Sequence, residues 1–156
     1  MTEPQPTSRS CFVCGRDNPL GLRTRWQSDR AAGEARCQVT LPDAFNSYPG
    51  VVHGGIVTAL LDEAMVRALL VEGGFDDLLV TARMEVAFRR ATPTGTPLTV
   101  VARIRRRSGS RAQAEAEVRL ADGTVTATAE ALLARPTPEV AAAWGAERGG
   151  WRVDEP

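Results

Sequence analysis

The 156-residue chain contains no lysine and a single histidine. Its 19 basic side chains are therefore all arginine, and 19 acidic ones balance them to a formal charge of zero. That balance excludes a dedicated nucleic-acid binder, which presents a strongly basic face. A GC-rich genome accounts for arginine replacing lysine throughout, although the planar guanidinium fork also suits phosphate. No apolar run approaches the roughly 18 residues that cross a bilayer. Residues 1–10 are polar with two prolines and do not read as a secretory leader. The expectation is a cytoplasmic protein with neither membrane nor nucleic acid as partner.

Cysteine is scarce too. Cys11 and Cys14 form a CxxC, and Cys37 leaves the count odd. Structural zinc usually takes four Cys or His ligands. Only Cys37 and His53 remain to complete such a set, so the three are read as ordinary thiols, with no metal and no cofactor expected.

The length suits one domain. Residues 1–10 read as a disordered N-terminus, 11–135 as the domain, and 136–156 as a Pro- and Gly-punctuated tail with one short helix from Pro138 to Arg148. Two weak strands are expected first, near Leu20–Gln27 and Glu34–Leu41; the second alternates apolar and polar residues with a period of two. The single long helix pattern covers Gly54 to Glu72 and is apolar almost all round, which places it in the core. Gly73-Gly74 stops it. Four strands follow, at Leu78–Arg90, Thr96–Arg107, Arg111–Leu120 and Thr124–Arg135. Their short, turn-rich connections predict an antiparallel meander. The fold class is α+β, a curved antiparallel sheet wrapped around one long buried helix.

The chemistry-bearing segment runs from Asn46 to Ala64. His53-Gly54-Gly55 opens the buried helix, where unsatisfied amides and the helix dipole suit a developing oxyanion. Glycine there lets a ligand approach the backbone. Asp62 lies two turns on, with Thr58 its only polar lateral neighbour. An acid in a mainly apolar helix is costly to bury without a partner. Glu63 has one in Arg67, four residues on. Each feature has a plainer reading, His53 as a helix cap and Gly54-Gly55 as a flexible turn; their combination at the start of the one buried helix favours a site.

The run HGGIVTALLDEA resembles the helix-opening motif of hotdog-fold thioesterases, in the branch similar to the phenylacetate-pathway (PaaI-like) enzymes; the related 4-hydroxybenzoyl-CoA thioesterases place a Glu at the position of Asp62. CFVCGRDNPLGL at 11–22 and TARMEVAFRRATPTG at 81–95 are similar to other parts of that superfamily. The resemblance implies an acyl-CoA or acyl-carrier thioesterase that needs no cofactor beyond the coenzyme A of its substrate. Asp62 would act as nucleophile or general base, the Gly55 amide would polarise the carbonyl, and His53 would orient the loop or the carbonyl. Asn46 falls near a polar position before HGG, one residue further from it than in some relatives. Thr81 aligns with a hydroxyl that holds the attacking water. Such sites form between two subunits, so a homodimer or a homotetramer of two dimers is implied, and open sheet edges give dimerisation something to pair. Arg89 and Arg90, with Gly54, are the candidates for substrate contact. The acyl group is not readable, depending as it does on which of Tyr48, Met65, Leu69 and Met84 face the pocket. The main competing function is a non-catalytic acyl-CoA-binding module on the same fold; a hydratase and an assembly role are further alternatives.

Overall fold

The computed structural model describes residues 1–153. Seven strands form one antiparallel sheet: β1 (Thr2–Pro4), β2 (Trp26–Asp29), β3 (Glu34–Thr40), β6 (Val80–Phe88), β7 (Pro97–Ser108), β8 (Arg111–Leu120) and β9 (Val125–Ala134). β4 (Asn46–Tyr48) and β5 (Val51–Val52) make a separate small hairpin over Pro49-Gly50. Gly50 has φ +76°, a left-handed conformation that favours glycine. The hairpin leads directly into α1 (Gly54–Arg67).

The long strands arise where period-two patterns do. Along β8, Ala112, Ala114, Ala116 and Val118 are buried, alternating with Gln113, Glu115 and Glu117. Those side chains meet Val57, Leu60, Leu61, Ala64 and Met65 of α1 in one core. The expected architecture is present: a sheet wrapped on a buried helix. The α-helix itself ends at Arg67 and tightens into a 3₁₀ turn, Ala68–Leu70, before Gly73 N–H donates to Leu69 O at 3.1 Å. Its last turns are therefore narrower than a helix running to Glu72.

Three expectations need correction. The four-strand meander does not exist as such. The sheet order is β1-β2-β3-β7-β8-β9-β6, so β6 pairs with β9, and of the four strands expected to form the meander β7, β8 and β9 are the ones joined by hairpins. The connection over residues 89–96 passes across the sheet end. It is held there by Gly95 N–H to Leu41 O at 2.8 Å and by Thr92 Oγ1 to Thr126 Oγ1 at 2.8 Å. Eight residues reach comfortably past two strands spaced about 5 Å apart. Residues 20–25, next, do not join the sheet: Leu22 and Thr24 N–H donate to Phe12 and Val13 O at 2.8 and 2.9 Å, so this stretch pairs with the CxxC loop, and the strand begins at Trp26.

Residues 1–10 are packed, the third correction. β1 pairs with β2, and the buried Gln5 Nε2 donates to Ser28 Oγ at 3.0 Å and to Arg67 O at 3.1 Å. Polar side chains remain inside because they are hydrogen-bonded. The C-terminal tail folds over the same region. α2 (Pro138–Glu147) is capped by Thr137, and Thr7 pairs with Arg152. The last part of that tail, 154–156, lies outside the described residues.

Candidate active site

His53 is the N-cap of α1, and its Nδ1 accepts the Gly55 N–H at 2.9 Å. This is the capping role of the plainer reading, and it fixes the tautomer: Nδ1 is an acceptor, so the proton of a neutral ring sits on Nε2. The Gly55 amide, expected to be free for a carbonyl, is thereby occupied. Ile56 and Val57 N–H donate to His53 O at 2.9 and 3.1 Å. At the helix start this leaves the Gly54 N–H, which has no preceding turn to accept it, and the exposed His53 Nε2–H. A Cβ on Gly55 would meet His53 Nδ1 at 3.1 Å, so glycine is what lets the imidazole close over the amide.

Around this helix start the fold gathers further candidates. Asn46 is exposed and sits opposite Val52 in the small hairpin. The ring of Phe88, at the end of β6, lies 3.3 Å from where a Gly54 Cβ would be. Arg89 and Arg90 follow; both are exposed, and their N–H groups donate to Thr126 O at 2.7 and 3.0 Å.

Asp62 belongs to a second cluster. Thr81 Oγ1 donates to Asp62 Oδ1 at 2.6 Å, which supplies the partner that no helical neighbour could. The register of β6 against β9 slips between Thr81 and Arg83. A bulge of this kind re-aims a side chain and is common beside active sites. Asp62 and Thr81 line a cavity of about 410 Å³ whose walls include Val66, Phe75, Leu79, Trp144 and Trp151. Glu63 accepts from Arg67 Nε at 2.7 Å, as its spacing predicts. Arg67 is almost wholly buried, lies 5.1 Å from the Trp151 ring, and donates to Pro6 O at 2.5 Å.

The tail tryptophans were missed by sequence reasoning. The available signal was compositional: in a chain with 5% aromatics, two of the three tryptophans stand in the last 13 residues. Of the side chains read as pocket candidates, Met65 and Leu69 are sealed in the core and Tyr48 is exposed.

Cys11 and Cys14 border the same cavity. The hydrogen bond from the Cys14 thiol, aided by backbone N–H donors, lowers the Cys11 thiol to about 7 against the opposing effects of burial and Glu63. Cys14 is pushed far up by the same hydrogen bond and by burial. Burial, against a backbone hydrogen bond from Arg25, drives Cys37 up to about 12.

Within one chain the two clusters do not meet. Asp62 lies seven positions after Gly55 on the helix, about 10 Å along the axis. The family model for the thioesterase superfamily matches residues 49–127, from the turn before HGG to the start of β9. The chain belongs to the thioesterase superfamily. No curated protein matches it significantly. Among solved structures, this thioesterase-superfamily chain is similar to another member of the superfamily at 29% identity and a TM-score of 0.74, with 81% of this chain and 60% of that one aligned. It thus spans less than two thirds of that relative. A phenylacetic acid degradation-related protein of Ralstonia eutropha JMP134 is 26% identical, with a TM-score of 0.64 and coverage of 72% and 85%. The PaaI protein of E. coli, from the phenylacetic acid degradation operon, shares 21% identity and a TM-score of 0.61, with coverage of 66% and 76%. The fold is the hotdog fold of these thioesterases.

Proposed function

We propose that the protein hydrolyses the thioester of an acyl-CoA or acyl-carrier substrate, adding water across the C–S bond to release acid and thiol. The observation that carries this reading is the Asp62–Thr81 hydrogen bond at the wall of an apolar cavity. A carboxylate held through Oδ1 keeps Oδ2 for the reaction, either as nucleophile on the carbonyl carbon or as base toward the attacking water. The cavity is of a size to take the acyl group. Family membership supports the reaction class.

The carbonyl needs donors, and those of the same chain are about 10 Å from Asp62. A two-fold dimer solves the separation. β6 is a sheet edge with β9 as its one neighbour, and antiparallel pairing of two such edges sets the Thr81 end of one chain beside the Phe88 end of the other. Each site would then combine Asp62 and Thr81 of one subunit with the Gly54 N–H, His53 and Asn46 of its partner. The Gly55 N–H becomes a further donor to the carbonyl if the His53 ring swings off it. Arg89 and Arg90, beside the helix start, suit the phosphates of coenzyme A.

The test is release of free thiol from a panel of acyl-CoAs by the wild type and by Asp62→Asn. Turnover by the wild type and its loss in a folded variant support the reading. Saturable binding without turnover on any CoA or carrier ester overturns it in favour of a binding module.

A further inference from the structure

The backbone of residues 11–15 is folded around one sulfur. Val13 and Cys14 N–H point at Cys11 Sγ at 3.3 and 3.5 Å, and Gly15 N–H donates to Cys11 O at 2.8 Å. A Cβ on Gly15 would lie 2.3 Å from Cys11 O, so the turn closes only with glycine. Amide donors aimed at a sulfur stabilise its thiolate, the form that binds metals. The turn brings Cys14 to Cys11, and α1 brings Glu63 to both. The two sulfurs and a Glu63 carboxylate oxygen all lie within 4.8 Å of one another, with Cys11 Sγ 3.7 Å from Glu63 Oε2.

An independent observation comes from Arg67. Its Nε is taken by Glu63 Oε1 and its Nη1 by Pro6 O, but Nη2 is buried and has no acceptor. A buried guanidinium N–H left unpaired is costly. Cys14 lies close enough to feel the charge of that guanidinium, while its thiol meets Ser8 Oγ only at 3.9 Å.

We propose that Cys11, Cys14 and Glu63 bind one divalent cation of the zinc class, with Arg67 Nη2 donating to the Cys14 thiolate. Two thiolates and a carboxylate leave a divalent ion with one surplus negative charge, which the guanidinium neutralises. Glu63 keeps Arg67 on Oε1 and offers Oε2 to the metal. Thiolate ligands select zinc over magnesium or calcium. Tetrahedral coordination sets sulfurs about 4 Å apart, so the ligands close by at most about an ångström on binding. Three protein ligands leave a fourth position for water. The ion would clip the N-terminal segment to α1, beside the cavity that holds Asp62 and Thr81. Of the two ligands the sequence offers to complete the CxxC, Cys37 is sealed in the core and His53 caps the helix; the ligand at hand is Glu63, whose Oε2 is left open by Arg67.

The experiment measures metal by mass spectrometry in full-length protein purified without chelator, then titrates the metal-free protein with Co²⁺. About one zinc per chain and a thiolate-to-cobalt charge-transfer band are expected, both falling at least tenfold in Cys11→Ser and Cys14→Ser and surviving in Cys37→Ala. Should the serine variants misfold, zinc-edge X-ray absorption on the wild type reads the ligands directly, with two sulfurs expected. Three titratable thiols with neither metal nor cobalt band, a Cys11–Cys14 disulfide in place of the ion, or a shell of nitrogen and oxygen alone would overturn the proposal. None of these readouts depends on thioesterase activity.

Discussion

The hydroxyl of Thr81 donates to Asp62 Oδ1 at 2.6 Å, joining the edge strand of the sheet to its buried helix. Removing the acid should abolish the chemistry: Asp62→Asn is expected to lower kcat/KM about 10²- to 10⁴-fold, the range of a lost general base. Thr81→Ala forfeits a hydrogen bond to a charged group, worth about 1.5–3 kcal/mol, and should cost roughly ten- to a hundredfold. Thr81→Ser should recover most of it. Steady-state kinetics on the best acyl-CoA decides; equal effects of Ala and Ser would show that the hydroxyl is not what matters.

His53 joins a stabilising role to a proposed catalytic one, and two substitutions separate them. His53→Ala removes the cap on Gly55 and should cost about 1 kcal/mol in urea unfolding. His53→Asn restores a capping oxygen but not the Nε2 donor, so stability should return while activity stays low. Full activity in His53→Asn would leave the residue a cap only.

Composite sites predict rescue between chains. Asp62→Asn and His53→Ala chains, each inactive, are mixed after mild denaturation. Random two-fold pairing gives half heterodimers, each with one intact site, so about a quarter of wild-type activity is expected. No recovery in a mixture shown to exchange subunits would place both halves in one chain.

Thiol reactivity should follow the local fields around each sulfur. The Cys11 thiol is lowered to about 7 and burial holds Cys37 up at about 12. Thiolate rises with pH, so in chelator-treated protein Cys11 alkylation should be half-maximal near neutrality while Cys37 stays unmodified. Peptide mapping after iodoacetamide pulses across the pH range reads both.

Arg67 ties three parts of the chain together through Glu63, the carbonyl of Pro6 and the ring of Trp151. Arg67→Ala should destabilise by about 3–5 kcal/mol, as for a broken buried pair. Lysine lacks the planar fork and should rescue little. Urea unfolding monitored by tryptophan fluorescence provides the measure.

The elements legible in the sequence are those whose pattern is local. The alternation of β8 gave its limits, Arg111–Leu120, because every second side chain faces one core. The helix apolar all round announced its own burial, and the spacing of Glu63 and Arg67 announced their ion pair. Polar residues 1–10 read as disordered because composition does not reveal that Gln5 finds partners in Ser28 and Arg67, far along the chain.

By itself, then, the sequence determined the buried helix, the long strands from β6 to β9, the turn glycines and the acid placed seven residues after Gly55, since each depends on neighbours within a few positions. Tertiary structure alone decided that β6 leaves its sequence neighbour for β9, that Thr81 faces Asp62, that two tail tryptophans wall the cavity and that Glu63 meets the CxxC turn. Strand order and side-chain convergence are set by which surfaces bury each other across the whole chain, and no local pattern encodes that choice.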